Sequence, residues 1–302
     1  MIDVQRLRVL RAVAEHHSFN RAAAALHLTP SAVSQQVAAL ERSLGAQVVV
    51  RSTRGVTLTR AGRIMVGAAE SVAAELAHAQ RQVDRLGSGR SQFTLATFTS
   101  GGRLLLPGAL PRLTAAHPGT VVHVKEAEPE DSLPLVRRGA ADAALAYHFD
   151  GPLPGGPGGA AGVEWIPLMA DPLHAVLPDG HPLAGRAALD IAELADEPWV
   201  FGCLKTEAYL HRYAERAGFT AEVRGTTTDY FFACSLVASG VGVSLIPSIA
   251  LPPALPGLCV VPVGPPAPAR HLGIAVPRRG GHPATETLVE ALREQAAAVA
   301  DG

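Results

Sequence analysis

Residues 28–41 read LTPSAVSQQVAALE, and the N-terminal fold turns on them. Thr29 followed by Pro30 is the pattern of a helix N-cap and first helical position: the hydroxyl accepts from an otherwise unpaired amide, and proline has no amide to leave unpaired. The spacing predicts a helix in which Val33, Val37, Leu40 and Leu44 share one stripe, and Ser31, Ser34, Gln35 and Ala38 another. A solvated stripe ordinarily carries long charged chains. This one carries short hydrogen-bonding groups and reaches no charge before Arg42, so the helix axis can come close to another surface.

Working outward, Asp3 to about His16 reads as a helix through Val4, Leu7, Leu10 and Ala14, and Ser18 caps a short helix, FNRAAAAL. A tight turn, His27 to Thr29, joins this to the quoted helix. That is a helix-turn-helix, whose second helix enters the DNA major groove through its N-terminal residues. Thr29, Ser31, Ser34 and Gln35 are the candidate contacts to base edges and phosphates. Downstream, VVVRSTRGVTL (48–58) has β-branched residues on both sides of Thr53, Arg54 and Gly55, which signals a hairpin. Beside a helix-turn-helix such a hairpin is a wing, and Arg51 and Arg54 are its candidate phosphate or minor-groove contacts. Charge agrees. Residues 1–65 hold nine arginines against Asp3, Glu15 and Glu41, a net of +6, while residues 91–302 carry a net of -7 within a chain of formal charge -1. Phosphate attracts the first segment and repels the second.

Thr59 then opens a long helix in which Met65, Ala68, Val72, Leu76, Ala79, Val83 and Leu86 recur at three- and four-residue intervals up to Gly87-Ser88-Gly89. A narrow, alanine-rich stripe suits a partner helix from a second copy of the chain. Beyond it, strand and helix signals alternate: QFTLATF, GRLLLPGALPRLTAAH, TVVHVKEAE, DSLPLVRRG and AADAALAYHF, then WIPLMADPLHAVLP, WVFGC, LHRYAERAGF, AEVRGTT, YFFACSLVASGVGVSLIP and HLGIAVP. This is an α/β pattern. DGPLPGGPGGAAG (150–162) between the two sets reads as a flexible surface connection.

The segment SFNRAAAALHLTPSAVSQQVAALERSLGAQVVVRSTRGVTLTRAG resembles the winged helix-turn-helix of LysR-type transcriptional regulators. It matches their Ser-Phe, Ala-Ala, Leu, Ser-x-Val-Ser, Leu-Glu, Leu-Gly, Arg and Leu-Thr-x-x-Gly pattern. LLPGALPRLTAAHPG, LVRRGAADAAL, DGHPL and LVASGVGVSLIP resemble the effector domain of the same family. Val49-Val50 stand where many members have Leu-Phe, a packing change of little functional weight; Pro30 and Gln35 stand where Gln and Arg are frequent, so the operator's bases are not to be carried over from relatives. The resemblance implies residues 1–58 as the DNA-binding domain, 59–89 as a dimerisation helix, and 90–302 as an effector domain like a periplasmic binding protein. Its subdomain I would comprise 90–163 and 268–302, and subdomain II 164–267, with a ligand cleft between them. Thr99 and Ser100 at a helix N-terminus would hold a carboxylate-bearing effector there, with Thr226 and Thr228 opposite and Phe149 and Phe201 walling an apolar part. The partners implied are double-stranded DNA, a small-molecule effector and a second copy in a homodimer or homotetramer, with RNA polymerase a further candidate.

Other chemistries find little footing. A chain of 302 residues, 48% hydrophobic, is ample for folded cores, and it lacks both a long apolar run and a signal-peptide start, so a cytoplasmic protein with no membrane contact is expected. Gly240-Val241-Gly242 has Leu245 where a dinucleotide fingerprint needs its third glycine, and reads as close backbone packing. Ser244 lacks a nucleophile elbow, and His16, His17, His181 and His282 lack metal-ligand spacing, so no enzyme, cofactor or metal is expected. Cys203, Cys234 and Cys259 are odd in number and lack metal-like spacing, and read as reduced, structural thiols; because some members of the family that this chain resembles sense oxidants with a cysteine pair, redox activity of Cys203 or Cys234 stays the alternative. A solute-binding protein would need export and no basic N-terminus; an α/β enzyme would need a clustered acid, base or nucleophile.

Overall fold

The computed structural model describes residues 2–52, 55–88, 91–149, 163–203, 206–254, 256–278 and 281–300, without the side chains of residues 78, 81, 82 and 84–88. Arg54, the side chain of Leu86 and the Gly/Pro-rich stretch 150–162 therefore lie outside the described residues. Helices α1 (Val4–His16), α2 (Phe19–Leu26) and α3 (Pro30–Leu44) form the N-terminal unit with a hairpin of β1 (Val49–Ser52) and β2 (Gly55–Leu58). Each helix starts on the cap its sequence offers: Asp3 accepts from the Gln5 amide, Ser18 from Arg21 and Thr29 from Ala32. Two of them stop without glycine, since His17 and His27 take left-handed conformations at φ 49° and 55°. Val33, Val37 and Leu40 of α3 are buried against Leu7, Leu10, Val13, Ala22 and Ala23. Glu41 turns back to accept the Val48 amide at 2.9 Å, fixing the exit from α3 into the hairpin.

Helix α4 (Arg60–Ser88) is 29 residues long, roughly 43 Å at 1.5 Å per residue. Thr59 caps it by accepting from the Gly62 amide at 3.0 Å while its hydroxyl donates to the Gln47 carbonyl at 2.7 Å. A Cβ on Gly62 would lie 1.9 Å from the Val48 carbonyl oxygen, so only glycine lets the helix leave the hairpin this closely. Met65, Val66, Ala69 and Val72 pack on the N-terminal core, whereas Leu76 and Val83 are 56% and 60% exposed.

The rest of the chain holds a seven-stranded sheet in the order β10-β6-β11-β5-β3-β4, with β9 also on β6. These are β3 (Ser91–Thr97), β4 (Thr120–Glu126), β5 (Ala143–His148), β6 (Val163–Pro178), β9 (Ser244–Pro247), β10 (Leu258–Pro262) and β11 (Ala269–Pro277). A separate parallel pair is formed by β7 (Pro198–Phe201) and β8 (Glu222–Thr226). The helices are α5 (Thr99–Ala116), α6 (Pro129–Arg137), α7 (Glu207–Arg216), α8 (Tyr230–Ala238) and α9 (Ala284–Ala300). Phe93, Leu95, Leu105, Leu145, Ile274, Leu288 and Leu292 centre one core; Leu173, Trp199, Phe201, Leu210, Val243 and Leu245 centre another. Gly242 has the packing role expected of it, because a Cβ there would meet the Pro198 carbonyl oxygen at 2.3 Å.

One boundary differs from expectation. Strand β6 pairs with β11 from Val163 to Pro172, and only from Leu173 onward with β9 and β10. The chain therefore passes from the first core to the second at Asp171–Leu173, not near residue 164. The strand is continuous across the passage, so no turn signal marks it. The return lies at Pro268, whose carbonyl accepts from the Leu173 amide at 2.8 Å.

Candidate functional site

On the N-terminal unit, Ser31 and Gln35 are exposed and Ser34 half-buried, all on the side of α3 away from its buried stripe. Thr29 serves as the cap and shares a hydrogen bond of 3.0 Å with the Ser31 hydroxyl. Arg51 is not at the tip of the hairpin. It pairs with Val56 inside the ladder, its guanidinium lies 3.9 Å over the Phe19 ring, and Nη2 donates to Ser34 Oγ at 2.9 Å. The structure thus brings Arg51 and Ser34 together, with donors to spare on an exposed guanidinium. Short polar groups of α3, flanked by that cation, form a surface suited to a groove edged by phosphates.

In the second unit, β3 ends at Thr97 and α5 begins at Thr99, with no side-chain cap from Phe98. The two hydroxyls expected to be free for an anion are engaged. Thr99 donates to Glu126 Oε1 at 2.7 Å, and Ser100 Oγ accepts from Arg270 Nη2 at 2.8 Å. Arg270 is 1% exposed and its Nε donates to Asp171 Oδ2 at 2.7 Å; Asp171 Oδ1 in turn accepts the Ile249 amide at 3.1 Å. Burial opposes the guanidinium charge, but Asp171 and the neighbouring tyrosines outweigh it, and the Arg270 pKa is raised. The rings of Phe98 and Tyr147 lie 5.0 and 4.9 Å from the same guanidinium. Burial, then the charge of Glu128, push the Tyr147 phenol upward, so it stays protonated and donates to Glu128 Oε2 at 2.8 Å.

Ser100, Thr99, Arg103, Thr228, Cys203, Tyr230 and Arg270 line one cavity of about 30 Å³, roughly the share of a single water in the liquid. Arg103 crosses it: Nη2 lies 3.3 and 3.5 Å from the Ala250 and Leu251 carbonyls, and the guanidinium is 4.0 Å over the Phe231 ring. Three expected residues are elsewhere. Phe201 is fully buried in the second core, edge-on to Trp199 and His211, because β7 points it inward. Phe149 stacks on Tyr209 at 4.1 Å and packs against both cores, joining them instead of walling the cleft. Thr226 is exposed on β8 and outside the cavity lining, while Thr228 lines it. The sequence reasoning missed Arg103, Asp171 and Arg270. A signal existed for two of them, since Asp171 and Arg270 are charges within mostly apolar strands, and a buried charge needs a partner.

The cysteines are all free. Burial lifts the Cys234 thiol to about 11, which makes it inert at neutral pH. Cys259 donates to the Ala184 carbonyl at 2.7 Å, and Cys203, expected to be structural, lines the cavity. Among the described residues there is no cluster of metal-ligating side chains and no helix long and apolar enough to cross a membrane.

Comparison with known proteins agrees with this architecture. Residues 4–63 match the family model described as bacterial regulatory helix-turn-helix protein, lysR family, and residues 87–297 match LysR substrate binding domain. A probable hydrogen peroxide-inducible genes activator of Mycobacterium avium is 34% identical over 279 residues, covering 89% of this chain and 86% of that protein. The DNA-binding transcriptional dual regulator OxyR of Escherichia coli is 29% identical, covering 97% and 95%. Among solved structures, a hydrogen peroxide-bound cysteine-to-serine mutant of OxyR from Corynebacterium glutamicum superposes with a TM-score of 0.58 at 25% identity, covering 99% of this chain and 95% of that one. Full-length BenM superposes at 0.59 and 21% identity, covering 98% and 97%, a likeness of fold alone.

Removing one partner of a buried ion pair leaves an uncompensated charge, so Arg270→Ala should cost about 3–5 kcal/mol of stability in urea unfolding. Replacing both partners, Asp171→Leu with Arg270→Met, should recover most of that loss. If the single and double variants are equally stable, the pair is not what holds this crossover.

Proposed function

The chain belongs to the LysR family of bacterial helix-turn-helix regulators, and on that premise we propose that its DNA reading is governed by a small carboxylate-bearing molecule in the cleft. It is a transcriptional regulator, not an enzyme. Arg103 carries the proposal: among the described residues its guanidinium meets the Phe231 ring and two carbonyls and forms no ion pair, although Glu128 and Asp229 line the same cavity. A carboxylate supplies the counter-charge it lacks, in a charge-assisted pair stronger than its present bonds. The main anchor thus moves from the Thr99 and Ser100 hydroxyls to Arg103. A cavity of about 30 Å³ admits no organic acid as it stands. The acid must part the subdomains and replace the Arg103 link, and this is how binding would shift the domain between two states.

A second proposal rests on Cys203, which lines the same cavity, and on relatives named as hydrogen peroxide-inducible genes activators. Peroxide would be attacked by the Cys203 thiolate, leaving a sulfenic acid on sulfur and releasing hydroxide. A protein that reads genes works in the cytoplasm on double-stranded DNA, with RNA polymerase as a further candidate partner. Ser31, Ser34 and Gln35 would contact bases, and Arg51, with Arg54, phosphates. We assign the domains as residues 1–58, 59–89 and 90–302, with the subdomain passage moved to residues 171–173.

The exposed Leu76 and Val83 of α4 support a helix seam between copies, as homodimer or homotetramer. Leu76→Asp should then lower the sedimenting mass and the operator affinity; a variant of unchanged mass and affinity would place the seam elsewhere. For the effector, organic and amino acids should be compared with their amides by melting temperature and operator titration. A ligand at 100 times its Kd stabilises by about 2.7 kcal/mol. Acids alone should shift wild type, and Arg103→Gln should abolish the shift. If peroxide changes operator affinity in wild type but not in Cys203→Ser, while acids do nothing, the oxidant is the effector. Equal action of acids and amides would refute the carboxylate.

A further inference from the structure

A second cavity, of about 580 Å³, lies where the N-terminal unit, α4 and the effector domain meet. Its size falls in the range of roughly 300–1,000 Å³ usual for small-molecule pockets, unlike the cleft. Arg11, Ala14 and Glu15 of α1, Glu70 of α4, and Asp131 and Arg138 of the α6 segment line it. With Val66 and Pro134, eight residues line it; five of the eight are charged, and none of the five forms a direct ion pair with another described residue. Burial raises the Glu70 carboxyl above its ordinary value, against the pull of Arg137, Arg11 and Arg138.

We propose that this junction binds a small zwitterion, an α-amino acid or dipeptide, with its ammonium among Glu15, Glu70 and Asp131 and its carboxylate on Arg11 and Arg138. An anion alone would meet three carboxylates beside the two guanidiniums, and a cation alone two guanidiniums beside the three carboxylates. A zwitterion answers both. Beside the cavity, Gly139 sits so close to α4 that a Cβ there would come within 3.1 Å of the Ala74 backbone and the Ala77 side chain, which fixes the α6 segment on α4. The occupant would add a tie from α1 to the same segment. It would thereby couple the orientation of the DNA-binding unit to a metabolite that never enters the cleft.

The test uses the full-length protein with the standard L-amino acids and their glycyl dipeptides, read by melting temperature and operator titration. At least one should stabilise wild type and change operator affinity, while its amide and its desamino analogue do neither. Glu70→Gln and Arg138→Gln should each weaken it about tenfold or more, the loss of a charged hydrogen bond. Ala14→Phe sets a bulky ring among the charged side chains with every charge kept and should abolish the effect. Arg103→Gln, in the cleft, should leave it intact, which separates this site from the effector site. The proposal is overturned if no compound shifts the melting temperature, if the effect survives Ala14→Phe, or if Arg103→Gln removes it.

Discussion

The ion pair between Asp171 and Arg270 sits where the chain passes between the two subdomains in both directions. The two residues are cross-strand partners on β6 and β11, 0% and 1% exposed. A charge pair taken so far from water is held by geometry, since each partner left alone would be strongly unfavourable. The remaining bonds of the pair reach outward: Arg270 to Ser100 at the start of α5, and Asp171 to the amide of Ile249, whose side chain lies in the first core. Four segments are thus tied at one point, and the cleft opens beside it. Arg103 and the Phe149–Tyr209 stack bridge the subdomains away from that point through neutral contacts. The pair is suited to serve as a pivot, and under the proposed carboxylate reading the neutral bridges are the ones the ligand would displace.

At the other end of the chain, closeness of approach is the governing constraint. Glycine at 62 lets α4 spring directly from the hairpin, and Glu41 pins the hairpin to α3. Helix α4 is thus tied to α3 through the start of the hairpin, by the close approach of Gly62 to Val48 and by the Glu41 carboxylate. Arg51 adds a side-chain tie from the wing to Ser34.

The N-terminal unit was legible in the sequence because its determinants are local. Ser18, Thr29 and Thr59 cap helices within three residues of themselves, and the buried stripe of α3 follows from the helical period. The strand and helix alternation of the effector domain was legible for the same reason, although β10 and α9 went unread. What could not be read is nonlocal. Ser100 looks like a free hydroxyl until a residue 170 positions later supplies its donor. Phe201 and Phe149 look like cleft aromatics, and only packing assigns one to a core and the other to a bridge. The passage at Asp171 is silent because an extended backbone can change sheet neighbours without changing its own conformation.

Base selection by α3 is the claim on which the regulatory function stands, and it is tested most directly with pools of randomised duplex DNA bound at two salt concentrations. Gln35→Ala should change the preferred base at a single position of each half-site while leaving the slope of log affinity against log salt as in wild type, because a base contact is lost and no phosphate contact with it. The same base preferences in both proteins at every position would contradict the assignment of this face of α3 to the major groove.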